Sequence, residues 1–170
     1  MLDKAIQQAL KPLMTRAARG LVRLGLGADA ISLAGFAVGM GAATAIALQH
    51  DWVGLALLLI SRLMDGLDGA VARATQPTDR GGFLDITLDF LFYASIPLAF
   101  AIAEPAQNAL PAAVLLAAFI GTGSSFLAFA AVAEKRKLQS LAFPDKSFYF
   151  LGGLTEATET IAAFAAMCLG

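Results

Sequence analysis

The chain has 170 residues, 58% of them hydrophobic and only 15% charged, with a mean hydropathy of +0.72; an average soluble domain is about 25% charged, so the composition reads as an integral membrane protein. A formal net charge of −1 says nothing about nucleic acid or any other partner, and what matters is where the charges sit. The single cysteine, Cys168, excludes an internal disulfide framework or a cysteine metal cluster.

In chain order, the first element is a basic stretch from Met1 to Arg23 with apolar residues at helical spacing: Ile6, Leu10, Leu13, Met14, Ala17 and Leu21. It has no short apolar core followed by a small-residue cleavage site, so it is not read as a secretory signal. The pattern predicts an amphipathic helix, either lying in the membrane surface or packed on the rest of the protein; the two readings are compatible. Five runs long and apolar enough to cross a bilayer follow: Ala30 to Leu48, Trp52 to Ala72, Phe83 to Ala103, Ala109 to Ala133, and Phe148 to Leu169. The expected architecture is therefore all-α and membrane-integral, a single domain over 1–170, with an interfacial amphipathic helix in 1–27 and a bundle of five transmembrane helices in 28–170.

Eleven of the twelve basic residues precede the first run or lie between the second and third or the fourth and fifth; Arg62 is the exception. The positive-inside rule places those loops in the cytoplasm. The expected location is a bacterial inner (cytoplasmic) membrane.

Four aspartates interrupt this apolar chain: Asp65 and Asp68 near the cytoplasmic end of the second run, Asp85 and Asp89 near the start of the third. At a rise of about 1.5 Å per residue all four fall in one shallow layer. Asp65, Asp68, Gly69, Ala72 and Arg73 share one helix stripe, and Asp85 and Asp89 are an i, i+4 pair. The short connection predicts that the two helices are antiparallel neighbours. Intramembrane acids are costly unless neutralised and mark function by default. Arg62, three residues before Asp65, is read as a structural partner of an aspartate, but Arg62 and Arg73 cannot balance four carboxylates. Oxygen-only donors without His or Cys favour a hard cation such as Mg²⁺ or Mn²⁺.

The pattern Asp65-x2-Asp68-Gly69-x2-Ala72-Arg73-x7-Gly81-x3-Asp85-x3-Asp89 resembles, at every fixed position, the signature of the CDP-alcohol phosphatidyltransferase family. The resemblance implies an enzyme in which an acceptor hydroxyl attacks the lipid-bearing phosphate of a CDP-linked donor, usually CDP-diacylglycerol, releasing CMP in phospholipid biosynthesis. It further implies two divalent ions, Mg²⁺ or Mn²⁺, one held by Asp65, Asp68 and Asp85 and one by Asp65, Asp85 and Asp89, with Asp89 also the general base. Gly69 and Ala72 would admit the nucleotide, Arg73 would bind the donor phosphates, and Gly81 completes the donor set.

Two further positions follow from the resemblance. Thr78 matches a hydroxyl position near the nucleotide, or is a hydroxyl in a polar turn. Asp29 and Ser32 match residues lining the donor site, although Asp29 could equally be the N-cap of the first span with Ser32 buried in it; Ala28 stands where the family has proline. The family usually has six membrane helices, and the sixth has no counterpart before Gly170.

The expected acceptor pocket lacks positive charge: where members with phosphorylated acceptors carry Lys and Arg, this chain has Glu156 and Glu159, an i, i+3 pair that otherwise pairs with Arg62 or a loop lysine. Lys135, Arg136 and Lys137 are read as anchors to anionic headgroups, Lys146 and Tyr149 as interfacial anchors, and Gly152 and Gly153 as packing positions. The expected partners are the CDP-alcohol, an acceptor alcohol of unassigned identity, membrane lipids and a second copy of the chain as a homodimer, with no nucleic acid. A divalent-cation transporter and a catalytically silent homologue are the alternatives; a transporter would want acids distributed along a path or an inverted repeat, and neither is visible.

Overall fold

The structure, a computed structural model, describes residues 2–136 and 157–170. Six helices occupy them: α1 (Leu2–Arg23), α2 (Ala28–Ala47), α3 (Asp51–Ala74), α4 (Asp79–Ala103), α5 (Pro105–Lys135) and α6 (Ala157–Leu169). The first four apolar runs each become one helix, with ends within four residues of those expected. The fifth is described only from Ala157 onward. Three helices, α2, α4 and α5, are long and apolar enough to cross a membrane; α3 is as long but carries Arg62, Asp65, Asp68 and Arg73.

Local chemistry sets the breaks. The α1 terminus is closed by Gly25 at φ 77°, with the Leu26 amide bonded to the Leu21 carbonyl at 3.1 Å and the Gly25 amide to the Val22 carbonyl at 3.0 Å. This is the glycine-dependent C-terminal motif that satisfies the last carbonyls of a helix. The N-cap of α2 is Gly27, without a side-chain bond, and Asp29 sits in the first turn; the sequence expectation of Asp29 as cap is corrected on this point. Thr78 caps α4 by accepting from the Gly81 amide at 3.0 Å, and Pro105 starts α5 at a position where its missing N–H costs nothing.

Packing refines one further expectation. α3 and α4 are neighbours that meet through side chains, Arg62 on Asp89 and Phe92, and Leu58 in one core with Phe92 and Ile96, while α2 lies along both and makes the more extensive backbone contacts. Small residues let it do so. A Cβ on Gly35 would come within 3.1 Å of Met64 Cβ on α3, and one on Gly39 within 2.7 Å of the Phe92 ring on α4 and 2.8 Å of Ser61 Oγ on α3. In lipid, where apolar burial gives little net drive, such small-residue contacts are what bring helices together.

The larger core joins Ala42 and Ile46 of α2, Leu58 of α3, Phe92, Ile96 and Ala99 of α4, and Phe164 and Cys168 of α6. Tyr93, Phe119 and Phe164 form an aromatic cluster beside it, with centroids 6.1 to 6.2 Å apart. In a second cluster Ala18 of α1 packs with Ile31, Ala70 and Val71, flanked by Met14 and Leu21. The α1 helix therefore docks on the bundle by Met14, Ala18 and Leu21, while Leu13 and Ala17 of its predicted stripe stay exposed.

Candidate active site

Asp65 and Asp68 project from α3 one turn apart, and Asp85 projects from α4; one carboxylate oxygen of each lies within 4.8 Å of the other two. Asp68 is buried and accepts a hydrogen bond from Ser32 Oγ of α2. The wedge helix thus supplies both the spacing between α3 and α4 and a fixed donor for the deepest carboxylate.

Asp89 stands apart from that trio. Its Oδ1 lies 2.6 Å from Arg62 Nη1, which is also 3.7 Å from Asp65 Oδ1. The Arg62 side chain is only 9% exposed. Its guanidinium carbon lies 3.8 Å from the Phe92 ring centroid and 5.7 Å from that of Tyr93, and Nη2 donates to Ser61 Oγ at 3.3 Å. Ser61 in turn donates to the Gly35 carbonyl at 2.8 Å. Arg62 Nε is the only buried side-chain nitrogen or oxygen without a hydrogen-bond partner among the described residues. A positive charge over an aromatic face is favourably placed, so the arginine read as a structural partner is held by ion pair, ring and hydroxyl together. The four aspartates, Arg62, Ser32, Gly35, Phe36 and Leu88 enclose a space of about 10 Å³.

Beside this space opens a cavity of about 410 Å³. It is lined by every donor-site residue expected from the sequence: Asp29, Ser32, Gly69, Ala72, Arg73, Thr78 and Gly81, and it reaches Asp68 and Asp85. The nearest atoms to a Cβ at Gly69 would be those of the Arg73 side chain, at 3.3 Å from Nη1; glycine there leaves the backbone at the cavity wall. Asp29 Oδ2 lies 3.2 Å from Nε of the exposed Arg80, so its role is ionic rather than capping. Thr78 serves two roles at once, cap and cavity wall.

The sequence reading missed Phe126 of α5, which also lines the cavity; one phenylalanine in a long apolar run carries no signal. It also passed over Ser61, whose only mark was a hydroxyl beside an intramembrane arginine. Glu159 is half-buried in the first turn of α6, whereas Glu156, Lys137, Lys146, Tyr149, Gly152 and Gly153 lie outside the described residues. Lys135 and Arg136 are exposed at the end of α5.

An all-helical membrane bundle with a carboxylate trio at the edge of a cavity defines a class: integral membrane proteins whose candidate ligand site is formed between the helices. Residues 26–169 match the sequence pattern described as CDP-alcohol phosphatidyltransferase, and the chain belongs to that family. It is 52% identical over 169 residues, covering 99% of this chain and 82% of the relative, to the Escherichia coli inner membrane protein YnjF. It is 36% identical over 97 residues to the archaetidylinositol phosphate synthase of Pyrococcus horikoshii, covering 56% of this chain and 51% of that one. Among solved structures, it superposes on Mycobacterium tuberculosis phosphatidylinositol phosphate synthase with CDP-DAG bound, with a TM-score of 0.64 at 23% identity, over 89% of this chain and 72% of that one. The same enzyme in complex with manganese and citrate superposes with a TM-score of 0.68 at 24% identity, over 91% and 71% of the two chains; these likenesses are of fold.

Proposed function

We propose that the protein transfers a phosphatidyl group from CDP-diacylglycerol to an acceptor hydroxyl, releasing CMP. One observation carries the reading: the donor-site residues of a whole family signature line one cavity that opens onto Asp68 and Asp85. The mycobacterial fold relative is described with CDP-DAG bound and, separately, with manganese.

The residues divide the work by position. Arg73, with its forked donors, suits the diphosphate of the donor, and Gly69 and Ala72 leave room for the nucleotide at the helix surface. Asp65, Asp68 and Asp85 fit a hard divalent ion, being oxygen donors only, drawn from two helices and already converged to within 4.8 Å. When bound there, such an ion polarises the phosphoryl oxygens and steadies the departing CMP phosphate. Asp89 is assigned to the acceptor proton: the acceptor oxygen forms a bond to the lipid-bearing phosphorus, the bond from that phosphorus to the CMP oxygen breaks, and the hydroxyl proton passes to the Asp89 carboxylate. Arg62 orients Asp89 through the 2.6 Å contact between Nη1 and Oδ1.

The acceptor is proposed to be neutral, zwitterionic or cationic. Among the described residues two basic side chains line the two cavities, Arg62 and Arg73; the first is paired with Asp89 and the second is assigned to the donor. A phosphorylated acceptor would bring about two further negative charges. The archaeal relative's name implies a phosphorylated acceptor, but its alignment reaches only 51% of that enzyme. We place the site at the cytoplasmic face, the side to which the positive-inside rule assigns the basic loops, and the E. coli relative's name as an inner membrane protein supports the choice of membrane.

The test is CMP release from CDP-diacylglycerol by purified protein in lipid nanodiscs, with glycerol 3-phosphate, inositol phosphate, serine, ethanolamine and phosphatidylglycerol as competing acceptors. Release is expected only with Mg²⁺ or Mn²⁺ present and to stop on chelation. Preference for a phosphorylated acceptor would overturn the acceptor assignment, and cation flux without CMP release would replace the transferase with a transporter.

A further inference from the structure

We infer that this chain holds one divalent ion rather than two, because the Arg62 guanidinium occupies the electrostatic place of the second. The inference rests on the proposed function and departs from the two-ion arrangement that the resemblance implies. Arg62 lies outside the fixed positions of the signature.

The carboxylates assigned by resemblance to a second ion are Asp65, Asp85 and Asp89. Arg62 Nη1 already lies 2.6 Å from Asp89 Oδ1 and 3.7 Å from Asp65 Oδ1. An ion gathering those two carboxylates would sit beside a guanidinium, which stays protonated in proteins. Like charges a few ångströms apart, with little water between them, repel strongly.

The guanidinium is held from several sides. It rests 3.8 Å from the Phe92 centroid, and Phe92 and Ser61 beneath it are fully buried. Phe92 is itself gripped by α2, where Gly39 leaves no room for a methyl group. The space enclosed by the four aspartates and Arg62 is about 10 Å³, the order of volume that takes one water-sized particle. The trio of Asp65, Asp68 and Asp85 remains whole without Asp89.

The experiment is a Mn²⁺ titration of the full chain in nanodiscs without donor, read by electron paramagnetic resonance. The free-ion signal counts bound ions, and the low-temperature spectrum distinguishes an isolated ion from a spin-coupled pair. The wild type is expected to saturate at one Mn²⁺ per chain with no spin coupling. Asp89→Asn should keep that count with little change in affinity, Asp68→Asn should lose it, and Arg62→Lys should still hold one. Arg62→Gln, prepared in excess Mn²⁺, should hold a coupled pair. Two coupled ions in the wild type overturn the inference and leave the proposed transferase intact, as does an Arg62→Gln protein that folds and holds one ion. Loss of the single ion in Asp89→Asn overturns it even where Arg62→Gln fails to fold. No bound Mn²⁺ in the wild type removes the metal-dependent transferase reading itself.

Discussion

Arg62 of α3 and Asp89 of α4 form a 2.6 Å ion pair across two helices whose backbones pack more extensively on α2 than on each other. Removing one member of a buried pair leaves the other uncompensated, at a cost that reaches about 3–5 kcal/mol when both are fully buried and is smaller here because the Asp89 side chain is 32% exposed, whereas replacing both with apolar residues is near neutral. Arg62→Met is therefore expected to unfold at markedly lower temperature in metal-free nanodiscs, and Arg62→Met combined with Asp89→Leu to recover most of the loss while remaining inactive. Equal instability of the single and double variants would show that the pair does not hold the helices.

Turnover should separate the base from the ion ligands. Asp89→Asn is expected to lower kcat by about 10² to 10⁴, the range of general base catalysis, while CDP-diacylglycerol binding measured by calorimetry stays close to wild type. Asp65→Asn should weaken Mn²⁺ and donor binding together. Undiminished turnover in Asp89→Asn would remove its assignment.

Ser32 contributes through Asp68. Its hydroxyl donates to the Asp68 carboxylate, and loss of such an outer partner typically costs 10- to 100-fold in metal affinity. Ser32→Ala should shift the Mn²⁺ titration midpoint by about that factor, and Ser32→Thr should restore part of it. An unchanged midpoint in Ser32→Ala would show that the hydrogen bond is incidental to ion binding.

Gly39 tests how the bundle supports the site. A methyl group there would stand 2.7 Å from the Phe92 ring and 2.8 Å from Ser61 Oγ, and both neighbours touch Arg62. Overpacking of this kind costs about 1–3 kcal/mol. Gly39→Ala should lower thermal stability by that order and reduce kcat, whereas Gly121→Ala, on an open stretch of α5 with nothing within 4 Å, should do neither.

The helices were legible because each run is long, apolar and bounded by polar or glycine-containing breaks, and the aspartates because intramembrane charge is rare enough to stand out. The relation between α3 and α4 was only partly legible. A short link such as that between Ala74 and Asp79 fixes only that two helix ends are near, and the wedge of α2 follows from Gly35 and Gly39, which in an apolar sequence look like any small residues. Of the two readings left open for Asp29 the cap fails and the cavity wall stands: Asp29 has the chemistry of a cap, but its carboxylate faces Arg80, far along the chain. Phe126 escaped because its part depends on which face of a uniformly apolar helix meets the cavity, and α5 has no amphipathic pattern to say so.

The seating of α2 between α3 and α4 bears on biogenesis. Chains emerge N-terminus first, and every described residue assigned to ion or base work, with Ser32 and Arg62 that hold them, lies between Ser32 and Asp89 in the order α2, α3, α4. The wedge is thus already available when the helices it separates arrive, and no later helix has to be threaded between them. Ribosome-bound chains arrested after α4 has left the insertion channel are the stage at which the carboxylate trio first comes together, so Mn²⁺ protection from protease should begin there, before α5 and α6 are made.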